Sequence, residues 1–125
     1  SFRTNALGPL LLTQALAPWL ADGAKVANLS SSLGSIASTR RFGTPSYCMS
    51  KAALNMATVL LAHVLAARGM IVVALDPGWV RTDMGGEGAE VEPRDAVAGI
   101  LRVVDGLGAG DSGRFLDWRG EAIDW

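Results

Sequence analysis

Cysteine, histidine and tyrosine each occur once in these 125 residues, as Cys48, His63 and Tyr47, and lysine occurs only as Lys25 and Lys51. A single cysteine excludes an internal disulfide framework and any cysteine-rich metal site. A single histidine supplies no ligand cluster, so no metal is expected. This usage suits a reducing cytoplasm. Charge is sparse too: 18% of residues carry it, the formal net charge is −1, and acids and bases are interspersed. No basic block points to nucleic acid or to an anionic membrane surface. The longest apolar runs, 7–20 and 52–67, are interrupted by Gln14, Asn55 and His63. They fall short of the roughly 20 residues that cross a bilayer, and read as buried helices of a soluble protein without a membrane partner. The opening SFRTNALGPL lacks a charged region leading into an apolar stretch, so it is not a secretory signal.

Half of the chain is hydrophobic, enough to build the core of one domain. Residues 8–21 read as a helix, with Pro9 in the first turn and a stripe of Leu12, Ala15, Leu16 and Trp19. Pro18 should kink or fray its end. Residues 25–30 form a short strand, and 31–45 a loop rich in Ser, Gly and Thr. A long helix is predicted over 46–68, with Ser46 as cap or first residue and Gly69 as its left-handed stop. The run MIVVALD, 70–76, is apolar and β-branched at its centre, the pattern of a strand covered on both faces. A glycine-rich loop over 77–92, a helix from Pro93 to about 105 and a strand over 113–118 complete the order α-β-α-β-α-β. The fold class is therefore α/β: three parallel strands with flanking helices, joined by right-handed crossovers. The inner edge of so small a sheet is exposed unless something pairs with it.

In such sheets ligands bind beyond the carboxyl ends of the strands. SSS at 30–32 ends the first strand and DPG at 76–78 ends the second. Between them YCMSK, 47–51, opens the long helix and sets Tyr47 and Lys51 four apart, on one helical face. A free phenol titrates near pH 10. A cation one turn away favours its ionised form and lowers that value. A serine hydroxyl can hold a carbonyl oxygen while the phenol gives it a proton, which is general acid–base chemistry.

These residues resemble the short-chain dehydrogenases/reductases, and nearly the whole chain is similar to the C-terminal half of a typical member. TNALGPLLLTQALAPWL resembles the helix with the leading catalytic asparagine, which implies Asn5. VANLSSSLGS resembles the strand that ends in the catalytic serine. Counting back three from Gly34 gives Ser31, with Ser32 as the alternative, and the stretch from there to Tyr47 is longer than is commonest in the family. YCMSK matches the family's Tyr-x-x-x-Lys. DPGWVRTDM resembles the segment facing the nicotinamide, implying Pro77, Gly78, Val80 and Thr82 as cofactor contacts beside Tyr47 and Lys51. The details SSSLGSIA, SKAALNMA, PGWVRTDMGG and FLDWRGEAIDW are most similar to the C-factor and sniffer-like carbonyl reductase branch. The resemblance implies an oxidoreductase using NAD or NADP on a small carbonyl or alcohol. In it Tyr47 is the acid, Lys51 its modulator and a ribose ligand, Ser31 the carbonyl clamp, and Asn5 the holder of a water relay.

The family's glycine motif, T-G-x-x-x-G-x-G, and its N-N-A-G segment do not occur. GAGDSG at 108–113 matches G-x-G-x-x-G by letter, but it follows a helix and precedes a strand, the reverse of a dinucleotide loop. Residues 1–125 thus read as a partial NAD(P)-binding Rossmann domain, the C-terminal half of a doubly wound sheet. The dinucleotide-binding half is missing, as in a fragment that binds the cofactor poorly by itself. The choice between NAD and NADP lies with residues of that other half. The competing expectation is a catalytically inactive remnant, or a binding or signalling protein on the same scaffold. The helices at 8–21 and 46–68 resemble those that pair in the family's dimers, with Ala52, Ala53 and Ala57 permitting close packing, so a homo-oligomer is expected of the full-length protein. His63 and Cys48 read as structural, the four tryptophans as core or interface residues. Arg40 and Arg41 read as a solvated loop or, more sharply, as contacts to an anionic substrate.

Overall fold

The computed structural model describes residues 2–79 and 91–125. Strands β1 (Lys25–Leu29), β2 (Ile71–Asp76) and β3 (Phe115–Asp117) form one parallel sheet in that spatial order. Lys25 faces Ile71 through to Leu29 facing Leu75, and Ala74 faces Phe115 through to Asp76 facing Asp117. The apolar run predicted as a doubly covered strand is β2, whose residues Ile71–Leu75 are all buried. The helices are α1 (Gly8–Leu16), α2 (Pro45–Leu65) and α3 (Pro93–Asp105). On one sheet face, Leu61, Ala62 and Leu65 of α2 pack with Met70 and Val72, and Leu10, Ala17 and Leu20 adjoin them. On the other, Ile71, Val73 and Leu75 meet Leu107, Leu116 and the α3 residues Ile100, Val103 and Val104. Alternate residues of one strand thus feed two cores, which is the doubly wound arrangement expected.

Gly69 stops the α2 segment at φ +67, as its left-handed role requires. Continued by a 3-10 turn to Arg68, that segment is long and apolar enough to cross a membrane by length and composition. Here it lies on the sheet instead, through Leu61, Ala62 and Leu65. The helix begins at Pro45 rather than being capped by Ser46. Its N-cap is Thr44, at φ +42 and with no side-chain cap bond.

The predicted helix 8–21 is composite, a π-helical turn Arg3–Leu7, then α1, then a 3-10 turn Ala17–Trp19. Arg68 ends it by donating to the Ala17 and Leu20 carbonyls and, at 2.9 Å, to the Asp22 carboxylate. The expected burial of this helix does not occur. Only Thr13 of α1 is buried, while Leu12, Leu16 and Trp19 are 59%, 44% and 85% exposed. The outer flank of α1 and the edge of β1 border a groove of about 640 Å³ that no described element fills. Among the described residues the β1 edge away from β2 is unpaired, as foreseen. Ala57, expected to offer close packing to a second helix, is buried within the chain instead.

After β3 the chain turns back. Ile123 N–H donates to the Phe115 carbonyl at 2.8 Å, and the Trp125 ring stacks on Phe115 at 5.2 Å between centroids.

Candidate active site

The carboxyl ends of β1 and β2 lie side by side, since the Ser30 N–H donates to the Leu75 carbonyl at 2.7 Å. Tyr47 and Lys51 come to this edge on the first turns of α2. Lys51 Nζ donates to the carbonyl of Leu29, the last residue of β1, at 3.1 Å and lies 5.7 Å from the Tyr47 ring centroid. Partial burial draws Lys51 below its ordinary value, because removing an ammonium from water disfavours the protonated form. Tyr47 itself is 40% exposed, open to a ligand on its outer side.

The serine turn docks directly on this helix. Ser31 is extended, and its Oγ accepts a 3.1 Å bond from Leu33 N–H, capping a 3-10 turn over Ser32–Gly34. Gly34 presses so closely on α2 that a Cβ there would stand 2.8 Å from the Lys51 backbone. Ser31 is half-buried, whereas Ser32 is exposed and lines a cavity of about 440 Å³ with Asp76, Gly78, Trp79 and Trp118. Asn5 arrives from the π-helical turn. Its Nδ2 donates to Ser50 Oγ at 3.1 Å, and that hydroxyl donates to the Tyr47 carbonyl at 2.8 Å. Such single π-helical turns recur at functional sites.

Pro77 and Gly78 leave β2 beside these groups. Gly78 N–H donates to Asp76 Oδ1 at 2.9 Å, and Gly78 has φ +81. A Cβ there would meet the Trp118 ring at 3.0 Å, so the position demands glycine. Val80 and Thr82 lie outside the described residues.

The family model for the short chain dehydrogenase matches residues 1–92. The chain belongs to the short-chain dehydrogenase family. It is 47% identical to C-signal of Myxococcus xanthus over the whole chain and 76% of that protein. It is 38% identical to the 1-hydroxy-2-glutathionyl-2-methyl-3-butene dehydrogenase of Rhodococcus sp., covering 97% of the chain and 55% of that enzyme. Among solved structures, carbonyl reductase Sniffer of D. melanogaster superposes with a TM-score of 0.93 at 33% identity, over 99% of this chain and 55% of that one. NADPH-bound carbonyl reductase from chicken fatty liver gives 0.90 at 40% identity, with the same coverage. The chain thus spans three quarters of C-signal and about half of the other three proteins.

The residues present fit the nicotinamide end of this family's cofactor. Gly78 lines the 440 Å³ cavity at the carboxyl edge of β2, and Lys51 keeps two N–H donors beyond the one given to Leu29. Buried polar ties that the sequence pattern does not announce support this candidate site. Ser30 Oγ donates to Asn55 Oδ1 at 2.6 Å, Asn55 Nδ2 donates to the Gly34 carbonyl at 3.4 Å, and Asn28 Nδ2 donates to Thr58 Oγ1 at 3.0 Å. Their one signal is polarity inside apolar segments, Asn28 in β1 and Asn55 and Thr58 in α2. GAGDSG, by contrast, is a 3-10 turn Ala109–Asp111 before β3, in which the Gly108 N–H donates to its own Asp111.

Proposed function

We propose that this chain carries the catalytic part of an NAD(P)-dependent oxidoreductase interconverting a small carbonyl compound and its alcohol. The observation that carries the reading is the placement of Lys51 Nζ between the Tyr47 ring and the Leu29 carbonyl, at the sheet's carboxyl edge. The nicotinamide, when bound, supplies or takes up the hydride at the carbonyl carbon. Pro77, Gly78, Val80 and Thr82 would hold its ring end, and Lys51 its ribose.

In the reducing direction the Tyr47 hydroxyl gives its proton to the carbonyl oxygen, which becomes the alcohol hydroxyl. Lys51, 5.7 Å from the Tyr47 ring, sets a cation beside the negative charge that develops on the phenol oxygen as the proton is given up. Ser31, with Ser32 as the alternative, donates a hydrogen bond to the same oxygen and fixes its position. Asn5, held through Ser50, lines the route by which solvent returns a proton to Tyr47.

The test uses the full-length protein with NADPH or NADH and a panel of aldehydes and ketones. Tyr47→Phe is expected to lower kcat by about a hundredfold or more, in line with loss of a general acid. Undiminished turnover in that variant would falsify the mechanism. A second reading, a binding or signalling role on the same scaffold, is favoured by the likeness to C-signal. Failure of full-length protein to bind either nucleotide in a fluorescence titration would support it. The single free cysteine, Cys48, fits a cytoplasmic setting. A homo-oligomer of the complete protein is supported by Met56, Leu60 and Val64, exposed along α2. Sedimentation as a monomer at micromolar concentration would refute it.

A further inference from the structure

Beside the site lies a second cavity, of about 200 Å³, between the loop after β1 and the first turn of α2. Ser32, Arg40, Arg41, Gly43, Thr44 and Cys48 are among its walls. It borders the reacting groups closely. Cys48 follows Tyr47 directly, and Ser32 is shared with the 440 Å³ cavity that holds Gly78. The two lobes differ in charge. The larger contains Asp76, and an Asp117 already paired with Arg119 at 3.1 Å, with Trp79 and Trp118 also on its wall. The smaller contains two guanidinium groups and hydroxyls, with no carboxylate on its wall.

Those guanidiniums are available. Arg40 spends one nitrogen on the carbonyls of Ala37 and Thr39, at 2.8 and 3.0 Å, which fixes it in the loop and leaves its other donors free. Arg41 lies across Gly43, where an added Cβ would meet its Nη1 at 2.7 Å. Among the described residues neither arginine pairs with a carboxylate. Two exposed cations next to each other in the chain, one of them anchored in the loop and neither paired with a carboxylate among the described residues, in a concave wall with hydroxyls, match the planar acceptors of a carboxylate or the oxygens of a phosphate.

Building on the reductase reading above, we propose that the site selects carbonyl substrates that carry an anionic group. The anion enters the Arg40–Arg41 lobe, while the carbonyl sits at the serine turn beside Tyr47. The larger lobe offers an anion less, since its one arginine among the described residues, Arg119, is already paired with Asp117. Both carboxylate and phosphate satisfy the same donors.

The experiment compares 4-formylbenzoate, 4-formylphenyl phosphate and the neutral methyl 4-formylbenzoate in the full-length protein. Initial rates with NADPH or NADH give turnover, and calorimetry gives binding of each probe. The expected result is a kcat/KM for one or both anions about tenfold or more above the ester, carried by KM, as for a hydrogen bond to a charged group. The larger of the two preferences identifies carboxylate or phosphate. In Arg40→Ala/Arg41→Ala that preference collapses through KM, and in Arg41→Glu it inverts. Equal use of anion and ester, or a preference that survives the double variant, overturns the proposal while the reductase reading stands. If no carbonyl is turned over at all, the reductase reading falls. Calorimetry then decides the anion lobe by itself: arginine-dependent binding of 4-formylbenzoate or 4-formylphenyl phosphate supports it, and absent or arginine-independent binding overturns it.

Discussion

Ser30 donates a 2.6 Å hydrogen bond to the side-chain carbonyl of Asn55, and both residues are buried. The tie joins the end of β1 to the middle of α2. The same amide reaches the Gly34 carbonyl, so one residue of the helix fixes both ends of the serine turn. Asn55→Leu should strip these partners and leave buried polar groups unsatisfied, a loss of about 1–3 kcal/mol. Adding Ser30→Ala removes one orphan and should recover part of the loss. Urea unfolding of the four proteins in the cycle measures the coupling, and additive losses would mean that the bond is not a working pair.

Lys51 gives a pH dependence of definite sign. Burial places its folded-state value below the ordinary lysine value. Between the two values the unfolded chain holds more protons than the folded one, so stability rises with pH through that window. Below the folded value the cost of burying the cation is fully present. Lys51→Met should therefore flatten the dependence of urea midpoint on pH in the window just below the ordinary lysine value. The same slope in both proteins would show that another group causes it.

The elements that position the site were legible where local chemistry decides them. The β-branched run of β2, the left-handed stop at Gly69 and Pro93 at the head of α3 each declare themselves within a few residues. Tyr47 and Lys51 were legible because helical spacing alone puts them on one face. Burial was read less well. The stripe Leu12, Leu16 and Trp19 states that this face favours a cover; it does not state which residues provide one, and no described element does. Contacts spanning 25 to 45 residues were illegible too. Nothing in the local sequence tells Asn55 that its partner is Ser30, or Asn5 that its partner is Ser50. The π-helical turn that aims Asn5 leaves no compositional mark in RTNAL.

Gly34 marks the closest approach of the serine turn to α2. An alanine Cβ would stand 2.8 Å from the Lys51 carbonyl carbon and Cβ and 3.0 Å from the Ala52 nitrogen, mostly backbone atoms that yield only by moving the turn. Gly34→Ala should cost about 1–3 kcal/mol as overpacking. Because Ser31 caps that turn, kcat should fall as well, while nucleotide affinity changes little. An alanine variant of wild-type stability and rate would show that the contact relaxes freely.

The C-terminal tail reaches the same loop from the other side. Ser35 is fully buried, its Oγ donates to the Asp124 carbonyl, and Ile36 N–H donates to the Trp125 carbonyl. Trp125 is in turn stacked on Phe115 of β3, so the sheet holds the tail and the tail holds the loop that leads to Arg40 and Arg41. Removing residues 123–125 takes away two acceptors and an aromatic partner, the latter worth about 0.5–1.5 kcal/mol beyond its buried area. The Ile36 amide should then exchange with solvent much faster, while amides of β2 such as Val73 slow or speed only with global stability. Trp125→Ala separates the causes, since it keeps the backbone acceptors and loses only the ring. Exchange of Ile36 that tracks Val73 in both variants would show that the tail does not clamp the loop, because only local opening can accelerate one amide and spare the other.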